Sequence, residues 1–123
     1  MKEFIHCTSG DGRFRVEARA LRCGPDWAVA VFGGEAPHVG AVSLGQYEPL
    51  RRSATVSTIT VHTHRDDVIA GKFAKELAAA CRCTVTVTAG IHVDAAGADE
   101  LAALGAFCEV LLRTLLCAME EKE

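Results

Sequence analysis

RFRVEARALR at residues 13–22 and DWAVAVF at 26–32 flank the tripeptide Gly24-Pro25-Asp26. In the first stretch Phe14, Val16, Ala18 and Ala20 alternate with Arg13, Arg15, Glu17 and Arg19. Period two with charge on one side predicts a half-exposed strand. The second stretch is more apolar and so more deeply buried, and Gly-Pro-Asp between them reads as a turn. The two form an antiparallel hairpin, which places a sheet with one covered face at the centre of the fold.

Outward from this hairpin, Gly33, Gly34 and Pro37 break the pattern, and Val39 to Leu44 gives a third strand. Tyr47 to Ser53 is a polar turn around Pro49, and Ala54 to Val61 a fourth strand rich in β-branched residues. A helix begins at Thr63 or His64, with Asp66 and Asp67 in its first turn, where carboxylates suit the helix dipole. Ile69, Phe73, Leu77 and Ala80 share one of its faces. Thr84 to Ala89 is a fifth strand with Thr84, Thr86 and Thr88 on one side. After an AAGAD loop, a last helix runs from Ala98 to about Met119. Its two apolar stripes (Leu101, Leu104, Cys108, Leu111 and Leu115; Phe107, Leu112, Leu116 and Met119) are wide enough to be covered by the sheet plus the other helix, or by a second subunit. The order β-β-β-β-α-β-α predicts one α+β domain over residues 1–123: a mainly antiparallel five-stranded sheet with both helices on one face. A homodimer is expected.

The chain has 123 residues, half of them apolar, and a formal net charge of −3. Such a chain has enough apolar surface for one core, and it carries no basic field for nucleic acid. Its uninterrupted apolar stretches are far shorter than the roughly 20 residues of a membrane span. The segment MKEFIHCTSGDG lacks the apolar run of a signal peptide, so a cytoplasmic protein is expected. Of six cysteines, Cys108 and Cys117 fall in the last helix as small hydrophobes. Cys81 and Cys83 are the one close pair, and they lack the second pair of a zinc site.

Three histidines stand where strand patterns stop or a helix pattern starts: His38 in GGEAPHVGA (33–41), His64 in VHTHRDD (61–67) and His92 in AGIHVD (89–94). Glycines beside them would let a ligand approach the backbone. In an extended chain Asp94 points to the same side as His92 and can orient its imidazole. His64 lies near a helix N-terminus, which favours phosphate. Gly33, Gly34, His38, Gly40, His64, Arg65 and His92 together could serve a phosphorylated ligand with a planar ring. Against this stands the plainer reading that single histidines at strand ends are surface residues or turn formers; His6 and His62 are read so. The same set also suits a second hypothesis, a small metal-binding enzyme or sensor using His38, His64, His92 and Asp94. A third is a pure interaction subunit acting through the terminal helix. No GxGxxG, Walker, GxSxG or HExxH signature occurs. The arginines at 13, 15, 19 and 22 read as a solvated edge stripe, or as a contact for an acidic partner.

GGEAPHVGAVSL (33–44), STITVHTHRDD (57–67) and VTAGIHVD (87–94) resemble the small D subunit of bacterial non-oxidative hydroxyarylic acid decarboxylases, such as gallate decarboxylase. The wider family is the prenylated-flavin chaperone, LpdD-like family. The resemblance covers roughly residues 11–115. It implies a small non-catalytic protein that binds prenylated FMN (or FMN) and stores it, or delivers it to a UbiD-type decarboxylase. It also implies an α+β, dimeric fold related to proteasome assembly chaperones. Carried over by motif, the cofactor-binding positions are Gly33, Gly34, His38 and Gly40, then His64, then Gly90, His92 and Asp94. Where the family usually has Pro-Gly before the helix histidine, this chain has His62-Thr63.

Overall fold

A computed structural model describes residues 3–61 and 66–120. The hairpin of the opening stretch is present as β2 (Val16–Cys23) and β3 (Asp26–Gly34), with Cys23 opposite Asp26 across Gly24 at φ +62°. A second hairpin joins β4 (Ala41–Glu48) to β5 (Ser53–Thr60). Helix α1 (Asp67–Cys81) leads to β6 (Thr84–His92), and α2 (Ala98–Glu120) closes the chain.

Two sheet features depart from expectation. The sheet has six strands, because Phe4–Ser9 forms β1 on the outer edge of β2. It is also mixed: the order is β1-β2-β3-β6-β4-β5, and β6 lies parallel to β3 and antiparallel to β4. The insertion of β6 separates two hairpins that are consecutive in sequence. Element bounds moved as well. Gly12–Phe14 is a short 3-10 turn, and β6 runs on through Gly90 to His92. Arg19 and Arg22 lie on β2, whose edge β1 covers, and Arg13 and Arg15 precede that strand, so the four arginines are not an edge stripe. Arg19 lies over the Phe32 ring and Arg22 over Trp27.

Alternate residues of the strands face the helices. Val16, Ala18, Ala20, Val29, Val31, Val85, Val87 and Ala89 are buried there. Helix α1 lies over β4, β5 and β6, and α2 over β1 and β2, so both helices share one face, as expected. At Gly45 a Cβ would collide with the Ala74 backbone, 2.8 Å from its carbonyl carbon, so the missing side chain lets α1 sit close on β4. The stripe α1 buries is Ala70, Phe73, Ala74, Leu77 and Ala78, with Ala80 exposed. Helix α2 buries Cys108, Leu111, Leu112, Leu115 and Met119, while Leu101 stands exposed. By length and composition α2 could cross a membrane; in this fold its apolar stripe lies on the sheet.

Candidate functional site at the carboxyl ends of the strands

The antiparallel pairings of β4 make β5 parallel to β6, which is parallel to β3. The carboxyl ends of β3, β5 and β6 therefore share one end of the sheet, together with the N-terminus of α1. Residues 35–40 leave β3, pass over the end of β6 and descend as β4. Such a crossing, where neighbouring strands lead off in different directions, leaves a natural crevice for ligands.

Four glycines shape the crossing. Gly34 has φ +76°, a conformation costly for other residues, and a Cβ there would meet the His92 carbonyl, 2.9 Å from its carbon. A Cβ on Gly90 would strike the His38 carbonyl, and one on Gly40 the Asp66 carboxylate, 2.7 Å from its Cγ. Gly33 is closed off by the backbone of Arg15 and Val16. At all four the space a side chain would take is filled by the chain itself. These glycines set the shape of the rim; they do not open it to a ligand as their sequence positions suggest.

Inside that shape lies a pair the sequence reading did not identify. His38 Nε2 is 2.9 Å from Oδ2 of Asp66, which is 6% exposed. The other oxygen of Asp66 accepts the Ile91 N–H at 3.0 Å. His38 Nδ1 lies 3.0 Å from the Ala36 carbonyl. Both ring nitrogens thus lie within hydrogen-bond distance of an oxygen. Asp66 is the N-cap residue of α1, yet its carboxylate makes no cap bond; it turns to His38 and β6 instead. From the sequence alone Asp66 reads as a helix-end charge. The one available signal was a carboxylate between a strand end and a helix start, with Gly40 far off in sequence to make room for it.

Beside His38 is a recess of about 250 Å³, walled by Ala30, Val31, Phe32, Pro37, Val39 and Thr88. With its ring nitrogens engaged, His38 offers this recess a ring edge. His92 and Asp94 form a second, exposed pair at the same sheet end (2.7 Å). Arg13 donates to the Asp94 carbonyl at 2.9 Å, and Glu35 Oε1 accepts the Asp94 N–H. The segments that carry the two pairs are bonded together: the His92 carbonyl accepts the N–H groups of Glu35 and Ala36. His64 and Arg65 lie outside the described residues. Among the described residues no group of three histidine, cysteine, aspartate or glutamate side chains could hold a metal.

A larger hollow, about 520 Å³, opens at the opposite end of the sheet between Arg22, Asp26, Tyr47, Cys81, Cys83 and Thr84. It is lined by no histidine. Burial pushes the Cys81 thiol up to about 11, with Cys83 adding to the effect, and burial raises Cys83 as well. Thiols held protonated are poor nucleophiles and poor metal ligands. The smaller recess is taken as the candidate site, because it sets the partly buried His38–Asp66 pair beside an apolar wall.

Residues 10–120 match the prenylated flavin chaperone LpdD-like domain. The chain is 25% identical over 109 residues to Protein LpdD of Lactiplantibacillus plantarum, covering 89% of this chain and 80% of that one. A chain from the crystal structure of a chaperone complex for yeast 20S proteasome assembly superposes with a TM-score of 0.57 at 12% identity, covering 93% of this chain and 94% of that one. At that identity the likeness shows a common fold.

Proposed function

Because the chain belongs to the prenylated flavin chaperone LpdD-like family, we propose that it is a non-catalytic accessory protein that binds prenylated FMN at the carboxyl ends of β3, β5 and β6. It stores the cofactor in the cytoplasm and delivers it to a UbiD-type decarboxylase. The observation that carries this reading is the partly buried His38–Asp66 pair beside an apolar recess. A flavin ring system needs an apolar wall with a few polar groups that fix its orientation. Phe32, Val39 and Pro37 supply the wall. The His38 ring supplies an edge to the recess, and Asp66 holds its orientation. His92 with Asp94, and from their sequence positions His64 and Arg65, are the polar contacts at the rim for the ribityl phosphate. The cofactor's own chemistry, electron storage and covalent activation of a substrate carbon, is exercised in the partner enzyme.

The test is an anaerobic titration of the protein with prenylated FMN and with FMN, followed by absorbance. Saturable binding that is lost in His38→Ala and weakened in His92→Ala is expected. A folded protein that binds neither flavin would overturn the reading.

A further inference from the structure

β5 is the outermost strand on its side of the sheet, and among the described residues it pairs with β4 alone. Sheets blunt such an edge with a charge, a proline, a bulge or a very short strand. β5 has none of these. It runs for eight residues, SATVSTIT, without a charged side chain or a proline. Its register with β4 is unbroken from Ser53 to Thr60. Thr55, Val56, Thr58, Ile59 and Thr60 are β-branched and favour an extended chain. Ile59, on the face that the helices leave uncovered, is 78% exposed. The opposite edge, β1, is six residues long and carries His6, whose ring is bonded to Glu17 of β2.

Alternation tells which backbone groups of β5 are open. The Val61 N–H donates to the Gly40 carbonyl at 2.7 Å. Backbone groups along a strand alternate in direction, so Ile59, Ser57 and Thr55 also aim theirs at β4. Ala54, Val56, Thr58 and Thr60 aim theirs outward. Beside this open ladder lies a groove of about 550 Å³, between Val56 and the side of α1 that carries Gly71, Lys75 and Glu76. Gly71 gives it depth, since a Cβ there would meet nothing nearer than the Thr58 hydroxyl oxygen at 3.9 Å. Val68, 61% exposed and one turn before Gly71, continues the same flank of α1. Lys72 is engaged by Glu109 at 2.6 Å. Lys75 makes no ion pair among the described residues.

These features say what fits. A row of open N–H and C=O groups is matched by another extended backbone. The groove receives every second side chain of such a strand, and Lys75 calls for a carboxylate among them. A second copy of this chain fits badly. β5 paired with itself about a two-fold axis would set the two grooves side by side and oppose Lys75 to Lys75.

We propose that β5 is a docking edge for an extended segment of a different protein, which joins the sheet as one more strand. On the side facing α1 that segment carries small apolar side chains and one carboxylate. Docking does not rest on the flavin reading. Since β5 ends at the site described above, a partner held there stands, on that reading, beside the cofactor.

The test titrates a blocked synthetic peptide, Thr-Val-Thr-Glu-Thr-Val-Thr, into the flavin-free full chain, followed by amide resonances and hydrogen exchange. Saturable binding at submillimolar peptide is expected. The amides of Val56, Thr58 and Thr60 should gain protection, while those of Thr55, Ser57 and Ile59, already bonded to β4, stay as they were. N-methylation on alternate amides gives two peptides, each blocked along one edge, and just one of them should bind. Binding by both, or by neither, overturns addition through the backbone. Thr60→Pro removes one outward donor at a position where an edge strand tolerates proline, and should weaken binding about fivefold, the contribution of one hydrogen bond. Glutamine in place of the peptide's glutamate should weaken it about threefold, as for one exposed ion pair. Lys75→Glu should weaken the original peptide and be rescued by a peptide with lysine in that place; this swap decides the matter if Thr60→Pro fails to fold, and absence of rescue overturns the carboxylate. No binding to the folded chain overturns the proposal. So does protection of the outward amides without peptide that is lost on dilution, the mark of copies of this chain pairing there. Failure here leaves the flavin reading standing, and a chain that binds the peptide but no flavin overturns that reading alone.

Discussion

Replacing Gly40 with alanine tests the site at the place where packing and polarity meet. Gly40 does not have a positive φ, so alanine fits its backbone; only space is at issue. The new Cβ would fall on the Asp66 carboxylate, 2.7 Å from Cγ and 3.0 Å from Cβ. Asp66 has no room to absorb this, because its carboxylate is held by His38 at 2.9 Å and by the Ile91 N–H at 3.0 Å. It must leave both. A hydrogen bond to a charged group contributes about 1.5 kcal/mol or more, so the substitution should cost about 3 kcal/mol. At about 3–4 °C per kcal/mol for a domain of this size, Tm should fall by roughly 10 °C in scanning calorimetry. In an Asp66→Ala background the obstacle is gone, and Gly40→Ala should be neutral or slightly stabilising through the unfolded chain. The double-mutant cycle should therefore show a coupling of about 2 kcal/mol or more. A Tm within 2 °C of wild type for the single variant, or additive effects in the cycle, would refute the placement of Asp66 against Gly40.

Gly90→Ala drives a Cβ into the His38 backbone, which cannot swing aside as a side chain can, so it should destabilise more than Gly40→Ala in the same calorimetric assay. His38→Ala removes the bond to the buried Asp66 carboxylate and should cost about 2–3 kcal/mol in urea unfolding. His92→Ala, at an exposed pair, should change stability by less than about 0.5 kcal/mol; equal costs for the two would contradict the burial difference. The thiols of Cys81 and Cys108 are pushed up to about 11, in each case mainly by burial, with Cys83 and Glu109 as the next contributors. At pH 8 only about one such thiol in a thousand is ionised, so mass-resolved iodoacetamide labelling should modify the exposed Cys23 and Cys117 first. Folded-state pKa values above the unfolded ones mean stability is kept below about pH 9 and lost as pH rises toward 11, a fall that Cys81→Ser with Cys108→Ala should reduce.

The strands and helices whose pattern repeats over eight or more residues were legible from the residues alone. Val16, Ala18 and Ala20 do alternate inward, and Thr84, Thr86 and Thr88 do share the uncovered face. β1 was missed because Phe4, Ile5, His6 and Cys7 do not alternate clearly in polarity; only pairing with β2 assigns Ile5 and Cys7 to the core. The parallel β3–β6 pairing was out of reach for another reason. It joins Trp27 to Val85 across the length of two other strands and a helix, and no local pattern carries such information. The same holds for the site. His38, Gly90 and His92 could be picked out from strand-end contexts, and the structure brings their backbones together. The partner that gives His38 its orientation lies 28 residues away, at the start of a helix. There it looks like any acidic residue at a helix N-terminus. Gly33, Gly34, Gly40 and Gly90 were marked for the right segments, but the atoms that occupy their empty side are the protein's own.

The central claim, that a flavin binds at the carboxyl ends of β3, β5 and β6, is tested most directly by mapping backbone amide resonances during an anaerobic titration with prenylated FMN. The account predicts shifts concentrated at Gly34–Gly40, Thr88–Asp94 and the first turn of α1, with Cys81–Thr84 at the far end of the sheet undisturbed. Shifts confined to the Cys81–Thr84 hollow, or no shifts at saturating flavin, would contradict it.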